Sequence, residues 1–187
     1  MPDRSATKGM NAPERSDSEA RLAEFAESFR QLFDAQYASL FRYLHRLTGD
    51  ADLAEDLAQE VFVRLYQRGS LPDDSRGWMA TVAHNLLRDD KRTAKRRLHL
   101  MQSRPLDLGG GAAPAADEKT LADERRQSVR RALAKLSERD RSMLLLRHEG
   151  YSYREVAHAV GVSEASVGTL LLRATAAFQA ALEESES

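Results

Sequence analysis

Apolar residues recur at intervals of three and four from Leu22 through Phe25, Phe29, Leu32, Phe33, Tyr37, Leu40, Phe41, Leu44 and Leu47. That spacing marks one face of an α-helix, so one long amphipathic helix or two consecutive ones are predicted, ended by Gly49 and Asp50. Leu53, Leu57, Val61 and Leu65 follow at strict spacings of four, with Phe62 and Tyr66 beside them, and predict a second helix that stops at Arg68 and Gly69. Residues 72–75 form a loop rich in helix-capping types, after which Trp78, Met79, Val82, Ala83, Leu86 and Leu87 mark a third helix. It runs on into RDDKRTAKRR, where the apolar face disappears and six of ten residues are basic.

Residues 104–116, RPLDLGGGAAPAA, hold three consecutive glycines and two prolines without apolar periodicity, the composition of a flexible linker. Beyond it, Leu121, Val129, Leu133 and Leu136 predict another helix, and Ser137 caps the next, centred on Met143 to Leu146. Gly150 stops that helix. Ser152 and Glu155 form a capping box for a short helix ended by Gly161, and Ser163 caps a last one carrying Val167, Leu170, Leu171, Ala174, Phe178 and Leu182. Nothing alternates with period two. The expected fold is all-α: a disordered tail over 1–19, a helical domain over 20–103, a linker over 104–118 and a second small helical domain over 119–187.

At 187 residues with 42% hydrophobic and 30% charged side chains, the chain has enough apolar material for such cores. No apolar stretch in the sequence approaches the roughly 18 residues of a membrane span, and the first twenty residues lack a signal-peptide run, so a cytoplasmic protein without membrane insertion is expected. The absence of cysteine removes disulfides, thiolate metal sites and thiol nucleophiles. A net charge of −1 conceals two basic islands: residues 71–104 carry 8 basic and 4 acidic side chains (+4), residues 121–150 carry 8 and 5 (+3), and the rest is acidic. Islands of this kind suit a polyanion, and solvated helix faces produce them too.

Counted from Tyr153, a small residue falls fifth (Ala157), a glycine ninth (Gly161) and a branched apolar residue fifteenth (Val167). A helix-turn-helix uses these for close helix crossing, a left-handed turn and locking of the second helix, although a plain helical hairpin has similar needs. The helix ADLAEDLAQEVFVRLYQ sets carboxylates off its apolar stripe. No E-x-x-H pair accompanies them and the five histidines are scattered, so no metal site, cofactor or catalytic residue is expected.

The block DLAEDLAQEVFVRLY, then WMATVAHNLLRDDKR, a flexible linker, and SERDRSMLLLRHEGYSYREVAHAVGVSEASVGTLLLRA together resemble the bacterial RNA polymerase sigma factors of the extracytoplasmic-function (ECF) type. The resemblance spans about residues 22–184. It implies a promoter-specificity subunit, not an enzyme, whose partners are core RNA polymerase, promoter DNA and an anti-sigma factor. On it, Asp52, Asp56, Gln59 and Glu60 face the polymerase. Ser70, Asp73, Arg76, Trp78, Asn85, Arg88, Lys91, Arg92, Lys95 and Arg96 serve the −10 element, with Trp78 equally readable as a core residue. Arg147, Ser163, Glu164, Ser166, Thr169 and Arg173 serve the −35 element, in a recognition helix where Gly168 and Leu170 depart from the more polar residues many members carry. The alternative is a helix-turn-helix regulator whose N-terminal bundle dimerises or senses a ligand.

Overall fold

A computed structural model describes residues 12–102 and 121–186, as seven helices without a strand among them: α1 (Ala12–Thr48), α2 (Ala51–Gln67), α3 (Ser75–Gln102), α4 (Leu121–Lys135), α5 (Glu138–His148), α6 (Tyr153–Val160) and α7 (Glu164–Glu186). The all-α reading is correct. The linker expected over 104–118 lies outside the described residues. The tail expected over 1–19 does not hold throughout, because α1 already begins at Ala12. Its first turns lack the apolar stripe that opens at Leu22. Once a helix is nucleated, each further residue costs little, and alanine, glutamate and arginine are favourable extenders.

The α1 stripe is continuous and aromatic, and it packs on α2. Phe33 meets Phe62 edge-on with ring centres 4.8 Å apart, and Phe29 meets Tyr66 at 5.3 Å. The caps follow the sequence signals. Asp50 accepts the Asp52 and Leu53 amides at 3.0 and 3.1 Å, Ser137 accepts the Asp140 amide at 3.1 Å, and Ser152 with Glu155 closes the capping box. For α3 the cap is Asp74, whose carboxylate accepts the Gly77 amide at 2.9 Å. Ser163 acts differently from expectation: its hydroxyl bonds the Ser166 hydroxyl at 2.6 Å, while its carbonyl accepts the Ser166 amide.

The two small helical halves also pack against each other through one contiguous set of buried residues. Leu40, Tyr43, Leu44, Val61, Leu65, Met79 and Leu87 from the first join Met143, Leu146, Tyr151, Val156 and Val167 from the second, all essentially inaccessible to solvent. Helix α3 packs against α6 and α1 against α5, while α4 packs on α7. Periodicity identifies the buried face of a helix but not the partner it is buried against, so this packing was invisible in the sequence. A second correction concerns α7. Over Glu164–Ser185 its mean hydropathy of 1.2 makes it long and apolar enough to cross a membrane by length and composition alone, because alanines dilute its few charges. In the structure α7 packs against α4, α5 and α6.

Candidate nucleic-acid and polymerase interface

Helix α2 divides cleanly. Ala54, Leu57, Ala58, Val61, Phe62 and Leu65 are buried, which turns Asp52, Asp56 and Gln59 fully outward and leaves Glu60 half-exposed. Glu60 holds Arg64 at 2.7 Å and Gln59 holds Glu55 at 3.2 Å, so the acidic face is ordered along its own helix. Val63 lies exposed one turn beyond Gln59 and Glu60 on the same helix, an apolar position that the sequence reading missed.

The residues expected at the −10 element separate into three settings. Ser70, Asp73, Asn85 and Arg88 are exposed. Trp78 is half-buried against the core, in line with its second reading. Lys91, Arg92, Lys95 and Arg96 fall on the α3 backbone with side chains outside the described residues. Arg76 is not on a free surface. Its guanidinium lies 4.4 Å from the centre of the Tyr151 ring, donates to the Glu149 carbonyl at 3.3 Å and stands 3.8 Å from the Glu155 carboxylate.

The helix-turn-helix has the geometry its spacing predicted. Ala157 and Val167 are buried, and Gly161 ends α6 at φ +71°, a left-handed conformation that side-chain-bearing residues rarely adopt. Glu164, Thr169 and Arg173 are exposed on α7, with Ser163 at its start, and Ser166 is half-buried. Arg147 donates to the Tyr151 carbonyl and lies 5.1 Å from the Tyr153 ring centre, so it braces the start of α6. Leu172, 74% exposed, joins the outward face of α7 without having been singled out in the sequence. A Cβ on Gly168 would meet only the Tyr153 ring, at 3.6 Å, so packing does not demand glycine there.

The second group missed by the sequence lies between the halves. Helix α5 ends in a Schellman motif: the Tyr151 amide bonds the Leu146 carbonyl at 3.1 Å and the Gly150 amide bonds the Arg147 carbonyl at 3.0 Å, with Gly150 at φ +82°. This turn buries Tyr151 and aims Glu149 at α1. The Glu149 carboxylate, 3% exposed, pairs with Arg42 at 2.8 Å and with Arg46, and accepts a long bond from Ser39 at 3.4 Å. Around it Tyr43, Tyr151 and Ser142 bury hydroxyls that have no well-formed hydrogen bond. Burial pushes the Tyr43 hydroxyl far above the usual phenol range. It pushes that of Tyr151 up to about 12, with nearby Arg76 opposing and Glu155 and Glu149 reinforcing the rise.

An acidic helix face beside a basic helix, followed by a helix-turn-helix, is the layout of a two-part DNA-binding factor. The sequence matches Sigma-70 region 2 over residues 32–97 and Sigma-70, region 4 over residues 126–177. It is 34% identical over 172 residues to the ECF RNA polymerase sigma factor SigL of Mycobacterium tuberculosis, covering 89% of this chain and 95% of that one. The sigma factor YlaC of Bacillus subtilis is 29% identical, over 79% and 88%. In fold the chain is similar to RpoE of Bartonella quintana, solved with the anti-sigma factor NepR (TM-score 0.65, 21% identity, 84% of this chain and 98% of that one). It is also similar to CnrH, solved with the cytosolic domain of CnrY (TM-score 0.62, 20% identity, 89% and 94%). The chain belongs to the ECF RNA polymerase sigma factors, transcription initiation factors that direct RNA polymerase to promoters.

Proposed function

We propose that this chain docks on core RNA polymerase through the outward face of α2, opens the −10 element with α3 and the loop before it, and reads the −35 element with α7. The observation that carries the reading is the split of α2. One side is wholly buried, while Asp52, Asp56 and Gln59 face outward and Val63 is exposed one turn beyond them. A charged face with an exposed apolar residue beside it combines the polar and apolar contacts that protein interfaces use. Asn85, Arg88, Lys91, Arg92, Lys95 and Arg96 would follow the −10 strand and upstream duplex, chiefly through phosphates. A flipped base would settle at the loop holding Ser70 and Asp73, where binding offsets the few kcal/mol of unstacking. On α7, Ser163, Glu164, Ser166 and Thr169 would meet base edges, Arg173 a phosphate, and Arg147 would position the motif.

An anti-sigma factor belongs to the same reading, since RpoE was solved with one. The groove it would enter, about 770 Å³, runs between the end of α1 and α4. Val129 and Leu133 line it together with Arg46, Arg125, Arg126 and Arg130, a chemistry suited to an acidic amphipathic helix. Work beside polymerase and DNA places the protein in the cytoplasm.

The test of docking is Asp56→Arg with Glu60→Arg. Like-charge contacts cost several kcal/mol at an interface, so the double variant should no longer co-elute with core polymerase in gel filtration while its circular dichroism stays unchanged. Normal co-elution would remove α2 as the docking face.

A further inference from the structure

We propose that Leu172 reads a thymine methyl group in the major groove of the −35 element, so that this chain selects one base pair by apolar contact rather than by hydrogen bonding. The inference rests on the reading of α7 as the −35 recognition helix, and it adds the base that is distinguished and the atom that distinguishes it.

Three observations converge. First, α7 turns an apolar stripe outward. Ala165, Thr169, Leu172 and Ala176 recur at spacings of four, three and four and are all exposed, within about 60° of arc at about 100° per residue. Val167, Ala174 and Ala181 are buried on the opposite side. Although the mean hydropathy over Glu164–Ser185 is 1.2, only 17% of its most apolar stretch is buried. Second, Leu172 stands proud of that stripe. At 74% it is the most exposed large apolar side chain among the described residues, and its neighbours on the stripe are two alanines and a threonine. It therefore projects furthest toward any surface laid against the helix. Third, α7 is the second helix of the helix-turn-helix, the one that enters the major groove in this motif. Buried Val167 and left-handed Gly161 fix the direction in which its stripe points.

Size and chemistry choose the occupant. Thymine alone among the four bases carries a methyl group in the major groove, and apolar side chains contact it. The stripe itself offers only the Thr169 hydroxyl for hydrogen bonding, while Arg173 at its edge suits a phosphate. Ala165 and Ala176 let the helix axis sit close to the groove floor, and Gly168 beside them adds no Cβ. At about 1.5 Å of rise per residue, Leu172 lies about 4.5 Å beyond Thr169, little more than the roughly 3.4 Å of one base pair. The two side chains therefore meet adjacent pairs. A second copy of the chain fits the stripe poorly: a stable protein interface buries about 800 Å² on each partner, far more than one leucine among alanines offers.

The test uses the full-length chain bound to core RNA polymerase and a pool of promoter duplexes whose −35 positions are randomised. The duplex that the wild type enriches most is synthesised again with uracil in place of thymine, one position at a time on either strand, which deletes the methyl and keeps the base pairing. One position should lose affinity about fourfold, the worth of burying one methylene-sized group. Leu172→Ala should keep the wild-type circular dichroism, because the side chain is exposed. It should bind the thymine duplex at least about fourfold more weakly and no longer distinguish thymine from uracil there. With 5-methylcytosine paired to guanine at that position, the wild type should bind more tightly than with cytosine, and the variant should not.

Equal binding of thymine and uracil duplexes by the wild type at every position overturns the inference and leaves the −35 reading intact, as does an enriched element without thymine. A uracil penalty that Leu172→Ala leaves unchanged also overturns it and assigns the methyl to another side chain. So does a Leu172→Ala variant that fails to bind core polymerase in the absence of DNA, which makes Leu172 a protein contact. If the wild type enriches no −35 sequence at all, α7 is not the reader, and the −35 reading falls together with the inference.

Discussion

Removing the hydroxyls of Tyr43 and Ser142 should strengthen the packing between the two halves, against the usual outcome of changing buried residues. Tyr43 is fully buried on α1 and Ser142 fully buried on α5, and beyond a weak contact with each other neither hydroxyl has a partner. They lie near one another, so changing one alone leaves the other orphaned. Tyr43→Phe with Ser142→Ala removes both. An unmet buried hydroxyl costs about 1–3 kcal/mol; a weak mutual interaction would recover part of this, leaving a gain of about 1–2 kcal/mol for the pair. Alanine adds a few tenths of a kcal/mol over serine within a helix.

For a chain of this size the sum corresponds to a rise of roughly 3–8 °C in Tm, at about 2–4 °C per kcal/mol. Thermal unfolding followed by circular dichroism reads it directly. A double variant destabilised by more than about 1 kcal/mol would show that the two hydroxyls are satisfied, and that the interface carries no strain of this kind.

Three further outcomes follow from the same geometry. Raising the pH above 10 should loosen that packing: Tyr43 and Tyr151 titrate above the ordinary value of 10.0 when folded, so the unfolded chain loses protons first. Their contribution is complete below about pH 10 and fades as pH climbs toward and past 12, by up to roughly 1.4 kcal/mol per pH unit for each tyrosine; tyrosinate absorbance should show Tyr43 and Tyr151 ionising late, with Tyr37 also raised by burial and Glu55, and five tyrosines ionising together would refute it. Gly168→Ala should stabilise α7 by about 1 kcal/mol, since its Cβ meets only an ordinary neighbour at 3.6 Å, and should weaken −35 binding if the glycine permits close approach of backbone to DNA; unchanged DNA affinity would remove that role. Neutralising Arg88, Lys91, Arg92, Lys95 and Arg96 should lower the slope of log affinity against log salt by about one unit for each DNA phosphate left without its cation, and an unchanged slope would take that helix off the DNA.

What could be read from the sequence was local. Capping residues and glycines placed α2, α5 and α6 to within a residue or two, because Asp50, Ser137, Ser152 and Gly161 act on amides and dihedrals in their own turn. The spacing of Ala157, Gly161 and Val167 revealed the helix-turn-helix for the same reason. The acidic face of α2 was visible as residues off an apolar stripe. Arg76 was read, through the resemblance, as a −10 contact and not as a cation held by Tyr151, which is far away in sequence and reached only through packing of α3 on α6. Arg42 and Arg46 carried no signal, being ordinary residues at a spacing of four.

Glu149 did leave a trace. It caps the C-terminus of α5, the end whose unpaired carbonyls favour cations, and sits directly after Arg147 and His148, which suit that position. An acid there conflicts with the helix dipole by a few tenths of a kcal/mol to about 1 kcal/mol. Natural sequences are largely free of such conflicts between local and tertiary preference, and they tolerate one where a longer-range interaction depends on it. Here the interaction is the ion pairing with Arg42 and Arg46.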